Sequence, residues 1–288
     1  MVNVNELKLK KELKNKVILV TGGAGSIGSA LVNKLLEYPV KSVRVLDINE
    51  YELFNLKRLN NNQKLRLFLG SVDDSDRVEI AGNGVDIIFH LAAAKNIEIT
   101  EYNPIETINT NISGIINLIK MTFKHKPKKF INLSTDKASN PTTLYGSTKQ
   151  IAEQLTSWAT THHTKFASVR FGNVLDTRGA VFELWKKEAE NNKPLSITDK
   201  KMKRFFVEKE IAVKYILKCM LMANDGEIFV PKLQSFKIVD LANTISKKHK
   251  IIGLRYGEKL DELLITEQEK RIAEDTKEMW IIKQHTRD

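Results

Sequence analysis

Tyr145 and Lys149 stand four residues apart, so a helix carries both on one face. At that spacing an ammonium holds the phenol near its anionic form, ready to accept a proton from a substrate hydroxyl. Ser134-Thr135-Asp136-Lys137 lies just upstream, at the end of the apolar run Phe130-Ile131-Asn132-Leu133. One pocket then holds a hydroxyl, a carboxyl and an amine besides the phenol. A simple dehydrogenase has no use for so many acids and bases. A reaction that oxidises, eliminates water and then reduces has. The plain alternative for Asp136 and Lys137 is a surface ion pair, and their place at a strand end ahead of Tyr145 argues against it.

Such residues need a scaffold that brings them together. Lys16–Val20 is a short β-rich run leading into Thr21-Gly22-Gly23-Ala24-Gly25-Ser26-Ile27-Gly28 and then a helical pattern over Ala30–Glu37. Strand, glycine turn and helix together form a dinucleotide cradle, with the pyrophosphate at the helix N-terminus on Gly22, Gly25, Ser26, Ile27 and Gly28. A second strand, Ser42–Leu46, ends in Asp47, about 20 residues after the glycines, where a ribose diol is gripped. Asp47 favours NAD, because a carboxylate repels the 2′-phosphate of NADP; NADP stays possible. Lys64–Gly70 reads as a third strand, with Asp73 beside the adenine. Val85–His90 is a fourth, running into Leu91-Ala92-Ala93-Ala94, where Ala92 and Ala93 let the backbone lie against the cofactor. Helix Asn109–Phe123, strand Lys129–Leu133, helix Tyr145–Thr160 and strand Phe166–Phe171 complete the alternation. The pattern predicts an α/β fold with a doubly wound parallel sheet, whose ligands lie at the carboxyl ends of the strands.

Beyond Phe171 the alternation breaks down. Ala180–Asn191, Lys209–Met222, Lys237–Lys247 and Glu258–Ile265 read as helices and Gly226–Pro231 as a strand. The expected division is a nucleotide-binding domain over 14–174 plus 205–230, and a smaller substrate domain over 175–204 plus 231–288. The 42% hydrophobic and 28% charged composition suits an ordered soluble protein. Cys219 sits in a helical pattern and reads as a core thiol, and with a single cysteine no internal disulfide forms, which suits a reducing, cytoplasmic setting. No apolar run approaches the roughly 20 residues that span a bilayer, so no membrane contact is expected. The net charge of +11 is scattered on lysines without a nucleic-acid-binding motif, so nucleic acid is not expected; the field suits an anionic substrate. His90 reads as structural, and no metal-ligand spacing is present.

Gly-x-x-Gly-x-x-Gly with Tyr-x-x-x-Lys resembles the extended short-chain dehydrogenase/reductase superfamily. In chain order stand Leu91-Ala92-Ala93-Ala94-Lys95, Glu101-Tyr102-Asn103-Pro104, Ser134-Thr135-Asp136-Lys137-Ala138 and Tyr145-Gly146-Ser147-Thr148-Lys149. Val169-Arg170-Phe171-Gly172-Asn173-Val174-Leu175, Arg204-Phe205-Phe206, Gly226–Lys232 and Gly257-Glu258-Lys259-Leu260 follow. Together they resemble the nucleotide-sugar 4,6-dehydratases of surface-polysaccharide and flagellin glycosylation. The nearest type is the soluble inverting UDP-N-acetylglucosamine 4,6-dehydratase, also a 5-epimerase. Retaining relatives usually carry methionine at Tyr145, and dTDP-glucose dehydratases carry Asp-Glu at Asp136-Lys137. The chain departs from the family's usual residues at Asn96 (histidine), Asp176-Thr177 (Gly-Ser), Tyr256 (proline) and Asp261 (histidine).

The resemblance implies roles. Tyr145 takes the sugar C4 hydroxyl proton, while Lys149 lowers the phenol pKa and holds the nicotinamide ribose. Lys137 removes the C5 hydrogen and must be neutral to do so, its pKa depressed by burial beside another cation. Asp136 protonates the departing C6 hydroxyl, so it must carry a proton, and Thr135 steadies the C4 oxygen. Lys95, Asn173, Arg178, Arg204, Arg255 and Glu258 meet the UDP-sugar; Arg170, Arg178 and Arg204 are expected to clamp its pyrophosphate. The implied cofactor is tightly bound and regenerated each cycle, and a homo-oligomer is expected. A nucleotide-sugar 4-epimerase and a non-catalytic dinucleotide-binding protein are the competing readings.

Overall fold

Val17-Ile18-Leu19-Val20 is apolar on both faces, as a strand must be when helices cover both sides of its sheet. It forms β1 (Val17–Thr21), buried throughout. The computed structural model describes residues 2–177 and 181–283. After α1 (Glu6–Leu13), β1 is followed by α2 (Ser26–Leu36), β2 (Ser42–Asp47), α3 (Glu50–Leu59), β3 (Leu65–Leu69), α4 (Ser75–Gly82) and β4 (Ile87–His90). Then come α5 (Ile97–Tyr102), α6 (Pro104–Ile108), a π-helical turn (Asn109–Ser113), α7 (Gly114–His125), β5 (Lys129–Thr135), a 3-10 turn (Asp136–Ala138), α8 (Leu144–Trp158) and β6 (Lys165–Phe171). The remainder runs β7 (Asn173–Val174), α9 (Val181–Glu190), β8 (Leu195–Ile197), β9 (Lys203–Val207), α10 (Lys209–Met222), β10 (Glu227–Pro231), β11 (Ser235–Lys237), α11 (Ile238–Ala242), β12 (His249–Ile251), α12 (Glu267–Ile272), β13 (Ala273–Asp275) and β14 (Met279–Ile282).

Nine strands make one sheet in the order β13-β14-β10-β6-β5-β4-β1-β2-β3. The stretch from β3 to β10 is parallel, and β14 and β13 close the far edge antiparallel. The 3-2-1-4-5-6 order is the doubly wound nucleotide-binding arrangement, with its switch point between β1 and β4. Strand residues alternate between two cores. Ile18 and Val20 pack with Leu31 and Leu35 of α2 and with Val213 and Ile216 of α10. Val17 and Leu19 pack on the opposite face with Val78 of α4, Ile115 and Leu118 of α7 and Ala152 of α8. Period-two alternation with helices on both sides fixes the register, since a one-residue slip would exchange the two cores.

A separate core forms around Trp185, Leu195, Ile197, Met202, Phe206 and Ile238, beneath the small sheets β11-β9-β7 and β12-β8. Three expectations meet a different outcome. The stretch 231–288, expected in the smaller unit, returns β13 and β14 to the large sheet. Lys237–Lys247 is helical only over Ile238–Ala242. Glu258–Ile265 is not a helix but an irregular strap, joined to β9 through the Asp261–Lys203 bridge. Its carbonyls explain the difference: those of Lys259, Leu260, Leu263 and Leu264 accept from Arg204, Arg204, Ser139 and Arg170, and that of Gly257 just before it from Thr142. Tertiary donors satisfy the backbone that a helix would have satisfied internally.

Candidate active site

The glycine turn after β1 and the alanine run after β4 meet across the switch point. Gly22 has φ +66°, and a Cβ there would lie 2.6 Å from the Ala92 nitrogen. Only glycine permits both the left-handed turn and this approach. α2 follows with no side-chain cap on its N-terminus at Gly25, so Ser26, Ile27 and Gly28 open its first turn. Asp47 closes β2 beside this turn, its carboxylate accepting from the Ala24 nitrogen at 3.0 Å and the Asn49 nitrogen at 3.0 Å. Ala92 and Ala93 follow β4, and Asp73 is exposed after β3, its carbonyl accepting from Asn117 at 2.8 Å. Backbone cradle, uncapped helix start and acid at the second strand end fit a dinucleotide.

The turn that carries Thr135, Asp136 and Lys137 is built at the end of β5. Thr135 caps the 3-10 turn by accepting from the Lys137 nitrogen, and its hydroxyl donates to Asp136 Oδ1 at 3.0 Å. Lys137 Nζ donates to the same oxygen at 3.1 Å. Asp136 is 1% exposed, and its Oδ2 has no hydrogen-bond partner among the described residues. A buried carboxylate oxygen without a donor is costly unless a ligand supplies one. α8 starts behind Thr143, whose hydroxyl accepts from the Gly146 nitrogen at 3.1 Å. A Cβ at Gly146 would lie 2.5 Å from the Lys137 carbonyl, so this glycine lets α8 dock on the turn. Docking brings Tyr145 into the field of Lys137, Asp136 and the Thr135 hydroxyl. The structure thus gathers Thr135, Asp136, Lys137 and Tyr145 in one place, with Lys149 a helical turn further along.

The protonation pattern differs from the expected one. Burial pulls the Lys137 pKa down, but Asp136 and Glu262 together overcome it and hold the ammonium above its ordinary value. Among the described residues no second cation depresses it. The depressed lysine is Lys149, lowered to about 8 by burial, which Glu153 only partly offsets. Burial pushes the Tyr145 phenol up; Lys137 and the Thr135 hydroxyl oppose this without reversing it. The cation that lowers the phenol is thus Lys137. Burial and the neighbouring Lys149 lower His90 to about 3, so it stays neutral, its Nδ1 2.8 Å from the Thr21 hydroxyl. That is a structural place, as the sequence suggests.

Arg170 proves to be structural. It is 1% exposed and forms bidentate pairs with Glu153 and Glu269, with Leu264 as a further acceptor, so it is no pyrophosphate clamp. Arg204 is buried and donates to the carbonyl of Lys203 in β9 and to those of Lys259 and Leu260 in the strap, tying the two together. Arg255 pairs with Glu98 at 3.1 Å, and Glu258 accepts from the Arg255 nitrogen at 3.2 Å. Lys95 is exposed beyond the alanine run. Asn173, opening β7, has a buried Oδ1 with no partner among the described residues. Arg178 lies outside the described residues. Asp176 has φ +54°, a left-handed backbone that accounts for the glycine usual at this place in the resembling family.

Two residues escape the sequence reading. Asn111, in the π-helical turn, donates to the Ala94 carbonyl at 2.9 Å and Thr148 at 3.0 Å, and accepts from the Ala94 nitrogen at 2.8 Å. It ties the alanine run to the helix of Tyr145 and Lys149. Glu262 comes in on the strap, with Oε1 3.7 Å from Lys137 Nζ. Its only signal in the sequence is proximity to Gly257–Leu260.

Known proteins resemble the chain along most of its length. A Campylobacter jejuni (strain 81-176) protein named UDP-N-acetylglucosamine 4,6-dehydratase (inverting) is 40% identical over 90% of this chain and 80% of its own. A Methanocaldococcus jannaschii protein described as an uncharacterized membrane protein is 42% identical over 93% of this chain and 86% of its own. Among the described residues here, no helix is long and apolar enough to cross a membrane. The X-ray structure of Pen from Bacillus thuringiensis superposes with a TM-score of 0.89 at 34% identity, covering 94% of this chain and 89% of that one. The polysaccharide biosynthesis protein family matches residues 18–284. With its doubly wound sheet, glycine cradle and Tyr145/Lys149 helix, the chain belongs to the polysaccharide biosynthesis protein family.

Proposed function

We propose that the chain is a UDP-N-acetylglucosamine 4,6-dehydratase that inverts C5. The carrying observation is the convergence of Thr135, Asp136, Lys137 and Tyr145 at the end of β5, with one Asp136 oxygen shared and the other unpaired. A 4-epimerase needs the phenol and its lysine but has no task for the acid–amine pair. The name of the Campylobacter relative supports the same reading.

Gly22, Gly25, Ser26, Ile27 and Gly28 would hold the pyrophosphate of the dinucleotide, with Asp47 on the adenosine ribose, Asp73 near the adenine, Ala92 and Ala93 against the nicotinamide half and Lys149 on its ribose. Asp47 makes NAD the better fit than NADP. When bound, the cofactor supplies the hydride acceptor for C4 and the donor for C6, and is regenerated in place.

Tyr145 takes the C4 hydroxyl proton, with the Lys137 ammonium steadying the phenolate. Thr135 donates to the C4 oxygen as charge builds on it. The ketone at C4 acidifies the C5 hydrogen. Lys137 is an ammonium in the open pocket, so it must shed a proton before it can act as a base. The 3.1 Å contact to Asp136 provides the route. One proton crossing from Nζ to the carboxylate leaves a free amine and a carboxylic acid, the base for C5 and the acid for the C6 hydroxyl. Bound sugar that excludes water favours this neutral pair over two buried charges. Asn173, Arg178, Arg255, Glu258 and Lys95 are the proposed contacts to the UDP-sugar; Arg204, spent on backbone carbonyls, is not among them.

Incubation with UDP-N-acetylglucosamine is expected to give a product lighter by one water, read by mass spectrometry. Lys137→Ala is expected to keep the cofactor and lose deuterium uptake at C5 from heavy water. A stereoisomer of unchanged mass from the wild type would mean epimerisation and overturn the reading.

A further inference from the structure

Four charges alternate in sign through the catalytic pocket. Asp136 Oδ1 lies 3.1 Å from Lys137 Nζ. Lys137 Nζ lies 3.7 Å from Glu262 Oε1. Glu262 Oε2 lies 3.6 Å from Lys259 Nζ, which also donates to the Asn140 carbonyl. The Glu262 side chain is 5% exposed, and its Oε2 accepts no hydrogen bond among the described residues. A carboxylate at that depth is costly without a charged neighbour. Both of its cations stand beyond hydrogen-bond distance, so Glu262 acts on Lys137 through its field.

The strap holds Glu262 there on both sides. Asp261 bridges to Lys203, and the Leu263 carbonyl accepts from Ser139, two residues past Lys137. A group carried by the C-terminal part of the chain is thereby pinned against the turn after β5.

We infer that Glu262 is a positioning residue whose charge decides whether the proton shared by Lys137 and Asp136 rests on the amine or the carboxylate, with Lys259 tempering that charge. An anionic Glu262 keeps the proton on Lys137. As Lys259 neutralises Glu262, the proton can pass to Asp136 Oδ1. The step breaks one N–H bond, forms one O–H bond and leaves the net charge of the pocket unchanged. The charged or titratable groups facing Lys137 are Asp136 in its own turn, Tyr145 from α8 and Glu262 from the strap; Lys259 faces Glu262 from the same strap. The direction in which Lys137 is shifted, upward against burial, accords with this placement. The use of the proton transfer rests on the dehydratase reading; its test does not.

Labelling of the full chain with acetic anhydride across a pH series, with peptide mass spectrometry, reads the titration midpoint of Lys137 without substrate. Glu262→Gln removes the charge at constant shape and is expected to lower the midpoint by about one pH unit, the low end for an opposite charge at this range. Lys259→Met bares Glu262 and is expected to raise it. A merely structural role moves both variants the same way or neither. Unchanged or same-direction midpoints in folded variants overturn the inference. Should Glu262→Gln fail to fold, a midpoint that falls or stays fixed in Lys259→Met overturns it alone. Opposite shifts in a protein that leaves UDP-N-acetylglucosamine unaltered would sink the dehydratase reading and leave this inference standing; dehydration with fixed midpoints would do the reverse.

Discussion

Lys149 bears the clearest conflict between stability and use at the scale of one residue. It is 4% exposed, and among the described residues no acceptor hydrogen-bonds its ammonium. Its folded-state pKa of about 8 lies below the ordinary 10.5. Below pH 8 the folded and unfolded chains both carry the charge, and the folded chain bears the full burial penalty. Between 8 and 10.5 the folded chain releases its proton first, so stability from this group rises with pH. Lys149→Met is accordingly expected to stabilise the cofactor-free protein at pH 7 by up to about 3 kcal/mol. The gain should shrink towards zero near pH 10.5, and activity should be lost. Urea denaturation at pH 7 and pH 10 checks both the sign and the trend.

At the scale of elements, the Glu153–Arg170–Glu269 cluster joins three pieces of chain. Glu153 lies on α8, Arg170 on β6, and Glu269 on α12, where it also completes a capping box with Thr266. Arg170→Met leaves two carboxylates close together, one of them fully buried, and is expected to destabilise by about 3–5 kcal/mol. Arg170→Met combined with Glu153→Gln should recover part of that loss, which a double-mutant cycle in urea measures. The cluster also shows why an arginine in a recognisable motif was expected to bind phosphate. Its position at a strand end is visible in the sequence, whereas its partners come from 17 residues upstream and 99 downstream. The strap fails as a helix for the same kind of reason, since its carbonyls are claimed by side chains far away in the chain.

At the scale of the whole molecule, the neighbouring short helices α5 and α6 leave apolar residues in water. Ile99, Tyr102 and Ile105 are 59%, 86% and 67% exposed on α5 and α6. Exposed apolar groups gathered on neighbouring helices mark association surfaces. We expect the chain to self-associate through them, and Tyr102→Arg with Ile105→Arg to shift the sedimentation coefficient towards the monomer. Retention of the wild-type value by the double variant would place the interface elsewhere.

While the helices α1, α3, α4, α5 and α6 went unread, the sequence alone determined the six strands through Phe171 with the helices after β1, before β5 and before β6, the glycine turn after β1, and the join of Thr135–Lys137 to the Tyr145 helix. Those features are written in local periodicity, glycine placement and i,i+4 spacing, which need no knowledge of distant chain. Tertiary structure decided that Lys149 is depressed while Lys137 is held charged, that Arg170 is a buried brace, and that Glu262 stands beside the turn after β5. Burial and the field of neighbouring charges set those outcomes, and both depend on groups that meet only when the strap folds back across the ends of the strands.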